Sequence, residues 1–121
     1  MPQLLEVHVT AKLNGKVLPN FPYYRRIQVD EAQQFAVEQA TGGGYITLPI
    51  TSLDTVQALV LSTNQQVTVR MNGQSSGGLV LVNGGVLIFV DGSIAASSST
   101  NVTIDNSSGA TAVLEGLAGG T

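Results

Sequence analysis

From Val56 onward the chain runs as short apolar segments separated by glycine-containing turns, and after Arg70 it carries no Lys or Arg. Runs of four to six β-branched and aliphatic residues between turn signals are too short for helices and read as strands. Many short strands at this spacing can bury their apolar side chains only by stacking sheets, so the expectation is an all-β, single-domain antiparallel β-sandwich or jelly roll of about eight to ten strands spanning residues 1–121. A chain of 121 residues is the size of one such domain.

The first run alternates, with Leu5, Val7, Val9, Ala11 and Leu13 on one side and Glu6, His8, Thr10 and Lys12 on the other. Period two marks a half-buried strand, and Asn14-Gly15 suits a tight turn into a short return strand at Lys16-Val17-Leu18. Two readings fit residues 24–40. Asp30-Glu31-Ala32-Gln33 has the form of a helix N-terminus, leaving room for one short helix over 30–40, whereas Phe35 and Val37 suit a strand. The β surroundings tip the balance to strand. Gly42-Gly43-Gly44 closes the segment, and Pro49 makes the run Tyr45 to Ile50 an edge strand because proline cannot donate to a ladder. Val56 to Leu61 is apolar on both faces, and 66–71 alternates before a turn at Asn72-Gly73. After a Ser-rich loop at 97–100 come two last strands around 102–104 and 111–117, and Gly119-Gly120-Thr121 reads as a frayed tail.

The strongest hairpin signal is Asn83-Gly84-Gly85, flanked by Leu79-Val80-Leu81-Val82 and Val86-Leu87-Ile88-Phe89-Val90. A sandwich strand needs one apolar and one polar face, yet both arms here are apolar on both. The expectation is that Leu87 and Phe89 project away from the core together with Leu79 and Leu81. An exposed patch of that kind is an aggregation liability, so a folded-over segment of the chain or a second copy should cover it. Leu79, Leu81, Leu87 and Phe89 are thus the candidate oligomer interface.

Composition narrows the partners. Only 11% of residues are charged, against about 25% in typical soluble domains, so the surface is built from Ser, Thr, Asn, Gln and Gly. Such a surface suits close packing against neighbours, since few charges must be desolvated. The net charge of −3, with all five basic residues at or before Arg70, argues against nucleic acid. The longest apolar run is far too short to span a bilayer. The first residues lack the basic and apolar stretches of a signal peptide, which argues against general secretory export and for synthesis in the cytoplasm. With no cysteine, thiolate chemistry and disulfides are excluded.

Nothing in the spacing supports catalysis or a cofactor. His8, the one histidine, has no nucleophile or orienting carboxylate placed for it, and reads as a surface residue. Asp30, Glu31 and Glu38 read as a cap or strand edge rather than a glycosidase pair, and the chain has no Trp for a sugar cleft. Asp54, Asp91 and Asp105 lie at turns without the close acidic spacing of a calcium loop. No Lys follows Gly42-Gly43-Gly44, so it is a turn and not a phosphate cradle. Asn101-Val102-Thr103 and Asn106-Ser107-Ser108 match the glycosylation sequon but read as turn chemistry. Tyr23, Tyr24, Arg25 and Arg26 combine the residue types enriched at interface hot spots and are the candidate partner-facing patch.

Gln57-Ala58-Leu59-Val60-Leu61, the run from Val67 to Gly73, the run from Asn101 to Asn106 and Gly109-Ala110-Thr111-Ala112-Val113-Leu114 give the stretch 56–121 a texture that resembles small virion proteins of tailed bacteriophages. It is similar in particular to single jelly-roll capsid decoration (cement) proteins. That resemblance implies a trimer on the capsid surface that clamps major capsid protein subunits together, with no enzymatic activity and no cofactor. An expectation from a different class is a carbohydrate- or receptor-binding β-module of a phage tail or fibre.

Overall fold

The computed structural model describes residues 3–20, 23–50, 53–71, 76–95 and 102–121, with the backbone alone from 91 to 95. The Asn72-Gly73 turn, the 97–100 loop and Asn101 lie outside the described residues. Twelve strands and no helix occur among them: β1 (Gln3–Val9), β2 (Lys12–Leu13), β3 (Lys16–Val17), β4 (Tyr23–Val29), β5 (Glu31–Gln39), β6 (Tyr45–Thr47), β7 (Thr55–Thr63), β8 (Val67–Met71), β9 (Leu79–Leu81), β10 (Val86–Ala95), β11 (Val102–Asp105) and β12 (Ala112–Gly120).

The last eight strands pair as a nest. β5 lies against β12, β6 against β11, β7 against β10 and β8 against β9, all antiparallel. The second half of the chain therefore runs back along the first, as in one long hairpin. Lateral pairing of β12 with β7 and of β11 with β8 rolls that hairpin into two four-stranded sheets, ordered β10-β7-β12-β5 and β6-β11-β8-β9. This is the jelly-roll arrangement. Residues 31–39 are accordingly strand and not helix, because β5 pairs with β12 from Glu31 to Gln39 and Phe35 turns inward. The capping signature at Asp30 is overridden by nine residues of ladder.

The main core lies between the two sheets. Leu59 and Leu61 of β7, Leu114 of β12 and Phe35 of β5 meet Val67 and Val69 of β8 and Val102 and Ile104 of β11, while Leu48, Ile50 and Leu53 close the space from the β6–β7 connection.

A third layer explains why β7 is apolar on both faces. β1 and β4 form an antiparallel ribbon whose Leu5, Val7, Ile27 and Val29 pack on Ala58, Ala32, Val90 and Leu117. The sheet β10-β7-β12-β5 is thus covered on its inner face by its partner sheet and on part of its outer face by the ribbon. Gly119 belongs to this contact: a Cβ there would lie 3.1 Å from Leu5 Cδ1 and 3.2 Å from the Val29 methyls. The glycines near the end of the sequence are therefore ladder and not a frayed tail. Gly119 and Gly120 are buried in β12, and the Thr121 amide donates to the Thr55 carbonyl at 3.1 Å.

Beyond Val9 the ribbon continues into the β2–β3 hairpin, closed by Asn14 (φ 53°) and Gly15 (φ 81°). Residues 12–20 are all exposed, so this hairpin stands clear of the body.

Candidate interaction surfaces

The segment with the strongest turn signal is not a hairpin. Asn83-Gly84-Gly85 does reverse the chain, with the Gly85 amide donating to the Val82 carbonyl at 2.7 Å. Its two arms, however, enter different sheets, β9 pairing with β8 and β10 pairing with β7. The turn is pinned to the end of β7 by hydrogen bonds from Gly84 N to Thr63 O and from Thr63 N to Gly85 O. A local turn specifies a reversal, whereas the partner of each arm is set by where its side chains can be buried, and β7 offers β10 the longer ladder.

This pairing corrects the faces. Leu87 and Phe89, expected to project outward, are partly buried and pack on the main core, as does Leu81. Leu79 is exposed. Besides Leu79, the exposed apolar surplus falls on Val80, Val82, Val86 and Ile88, which are 57%, 60%, 56% and 43% exposed. β9 and β10 are each the edge of a sheet. One flank of the sandwich therefore combines unpaired strand edges with apolar side chains, and from Leu79 to Leu81 and from Val86 to Val90 it carries none of the charges that commonly protect such edges.

The register carries this apolar character across the outer face of the β10-β7-β12-β5 sheet. Ile88 lies beside Val60 and Val60 beside Leu117, while Val86 lies beside Ser62 and Ser62 beside Glu115. Here, past the part covered by the ribbon, a groove of about 830 Å³ opens. Val60, Ala36 and Leu117 contribute to its apolar lining, and Glu6, Gln34, Ser62 and Glu115 to its polar lining.

The Tyr23 to Arg26 cluster is divided by strand alternation. Tyr24 and Arg26 lie on the outward face of the ribbon, opposite His8 and Glu6 of β1, whereas Tyr23 and Arg25 fall on the face that carries Ile27 and Val29. His8 and Tyr24 stack with ring centroids 4.2 Å apart. Arg26 donates through Nε and Nη2 to Glu6 Oε1 at 3.3 and 3.2 Å. An exposed pair of this kind contributes about 0.2–1 kcal/mol, so its main effect is to order the patch. Leu4 is also exposed and lies on the same face.

A second polar face lies on the outside of the β6-β11-β8-β9 sheet. The Arg70 guanidinium stacks 3.8 Å from the centre of the Tyr45 ring. Asp105 pairs in register with Tyr45 and Thr68, and Thr103 with Thr47 and Arg70.

Among the described residues no group of three or more His, Cys, Asp or Glu is placed to hold a metal ion, and no helix is long and apolar enough to cross a membrane. Of the turn carboxylates, Asp105 lies within β11 and Asp54 just before β7, in different sheets. Of the two sequons, Asn106 is fully buried. Its Nδ2 donates to the Gln39 and Ala110 carbonyls, both at 2.8 Å, so the nitrogen a glycan would need is engaged inside the fold.

Sequence reasoning found the Asn14-Gly15 hairpin but not that it stands clear of the body, and it missed the outward placing of Val60, Val86 and Ile88. The available signal was β7 itself, since a run apolar on both faces has to be a central strand flanked by layers on each side. Comparison of the chain with protein-family models, with curated proteins and with solved structures returns no match.

Proposed function

We propose that this protein is a non-enzymatic virion structural protein, a homo-oligomeric capsid decoration protein that stabilises a phage shell by bridging major capsid subunits. The reading is carried by the apolar strip of Val86 and Ile88, which a single chain leaves exposed to water, with the partly buried Val60 beside them. At about 25 cal/mol for each Å² of apolar surface removed from water, covering such a strip favours association, and repeated copies of one chain meet the need with closed symmetry. A trimer is the favoured closure. The low charge and the compact jelly roll fit a body that acts through surface area, where many small contacts sum over a lattice. The outward Tyr24 and Arg26 are the capsid-facing side, on the opposite face of the ribbon from the sheet.

The test uses capsid shells lacking the protein. The added protein is expected to co-sediment with them and to raise the temperature at which they rupture. Tyr24→Ala combined with Arg26→Ala should weaken co-sedimentation at least about tenfold, the loss of one or two hot-spot side chains, without changing the mass of the free protein. Full binding by that variant would remove the ribbon from the capsid contact.

The Tyr45 and Arg70 face supports a second reading, a carbohydrate- or receptor-binding module. An aromatic ring framed by Asp105, Thr68 and Arg70 offers a stacking surface beside hydrogen-bonding groups. On that reading a glycan array shows a defined ligand whose binding Tyr45→Ala abolishes. An array blank for the wild-type protein discards it.

A further inference from the structure

The geometry points to the occupant of the groove: the β2–β3 hairpin of a second copy of this chain. The inference rests on the reading of the protein as a closed homo-oligomer and adds the contact that closes it.

Three observations carry it. First, the outer face of the β10-β7-β12-β5 sheet already accepts a two-stranded ribbon. The chain's own β1–β4 ribbon covers that face around Ala58, Val90 and Leu117 with Leu5, Val7, Ile27 and Val29. The uncovered remainder, around Val60 and Ser62, continues the same sheet face with a mixed apolar and polar lining and is open as the groove.

Second, the hairpin that continues the ribbon has a matching face. Lys12 pairs with Val17 and Leu13 with Lys16, and the Leu18 amide donates to the Ala11 carbonyl. Directly opposed residues share a side, so Ala11, Leu13, Lys16 and Leu18 form one face of the hairpin. Leu13 is 65% and Leu18 38% exposed, so both present apolar surface to water.

Third, the charges complement. The groove is lined by two carboxylates, Glu6 and Glu115. Glu6 already accepts from Arg26, which leaves Glu115 as the acceptor for an incoming cation. The hairpin face brings Lys16, and Lys12 stands on its reverse. Leu13 and Leu18 then sit over Val60 and Leu117 while Lys16 reaches Glu115 at the groove wall.

Hairpin and groove are different patches of one chain, so the contact is head-to-tail, and it ends in a ring when the rotation closes. Each subunit gives one hairpin and receives one. The apolar surface that two separate chains expose is removed from water in a single contact.

The chain has no cysteine, so introduced thiols are the only ones present. Leu13→Cys and Ser62→Cys place one thiol on the hairpin face and one in the groove, both at positions that are not fully buried. Under mild oxidation the double variant is expected to form a covalent ladder on non-reducing gels, ending at the mass of the native oligomer, while each single variant stays a single chain. Lys16→Glu should weaken association at least about tenfold, and adding Glu115→Lys should restore it, as expected of a complementary pair at an interface.

If the wild-type protein is an oligomer but the double variant forms no interchain disulfide, the hairpin is not the occupant and the oligomer is built otherwise. If the double variant closes a disulfide within one chain, the hairpin folds back on its own groove and the inference is overturned. A wild-type protein with the mass of one chain overturns both this contact and the oligomeric reading. Failure of Glu115→Lys to rescue Lys16→Glu removes the ion pair, and with it the charge argument for this occupant.

Discussion

Gly116→Ala is expected to destabilise the protein by at least about 3 kcal/mol and to lower its melting temperature by about 12 °C or more. Gly116 lies in the middle of β12, between Phe35 of β5 and Leu61 of β7. A Cβ at this position would overlap the Val60 carbonyl oxygen and come 2.8 Å from Phe35 Cζ. A ring lying over a cross-strand glycine is a recurrent means of filling the space that glycine leaves. The ring can swing away, but the carbonyl belongs to the ladder between the two central strands, so relief requires β7 and β12 to separate. Ordinary overpacking costs about 1–3 kcal/mol, and a clash with backbone belongs at or above the top of that range. Thermal unfolding of the variant checks this. A melting temperature within about 2 °C of wild type, less than 1 kcal/mol for a domain of this size, would mean that β12 is not packed between β5 and β7 as described.

Asn106→Ala should cost about 2–4 kcal/mol, because it strands buried polar groups instead of merely deleting a contact. The side chain is fully buried. Its Nδ2 bonds the Gln39 and Ala110 carbonyls, and its Oδ1 accepts from Ser108 N at 3.1 Å and Ser108 Oγ at 2.7 Å. The Asn106 carbonyl accepts from Gly42 N, Gln39 Nε2 donates to the Ile104 carbonyl at 2.9 Å, and Thr41 Oγ1 accepts from Gly109 N. One asparagine thus joins the β5–β6 turn to the β11–β12 turn at one end of the sandwich. Asn106→Asp is a sharper probe of the same claim. It keeps the acceptor for Ser108 and loses both donated bonds, so it should be at least as damaging as alanine. Wild-type stability in the aspartate variant would show that the donated bonds contribute little.

The fold class was legible in the sequence because strand length, alternation and turn residues are local properties. The Asn14-Gly15 turn, the two closing strands and the edge position of β6 all follow from them. Pairing is not local. Residues 79–90 carried a strong reversal signal, yet whether Leu87 faced inward depended on its register with Leu61 of β7, about 25 residues earlier in the chain. The same holds for 30–40, where a helix start competed with a strand and the ladder to β12 decided between them.

The candidate surfaces were legible in kind and not in address. An apolar surplus on the 79–90 segment was readable, but of the four residues named for it only Leu79 is exposed, beside Val80, Val82, Val86 and Ile88, while Leu81, Leu87 and Phe89 lean on the core. The Tyr-Arg cluster was visible as a composition. Its division into an outward pair, Tyr24 and Arg26, and a pair on the face of Ile27 and Val29, Tyr23 and Arg25, required the β1–β4 register. The groove could not be read at all, since it exists only where a third layer stops short of covering the middle sheet.

Sedimentation equilibrium of the wild-type chain beside Ile88→Glu is the most direct measurement. Ile88 is half-exposed on the outer face of an edge strand, so the substitution leaves the folded subunit intact while placing a charge on the apolar strip. The account predicts a trimer for the wild-type protein at micromolar concentration and the 12.5 kDa mass of one chain for the variant. A wild-type protein that sediments as a single chain, or a variant whose mass is unchanged, would contradict it.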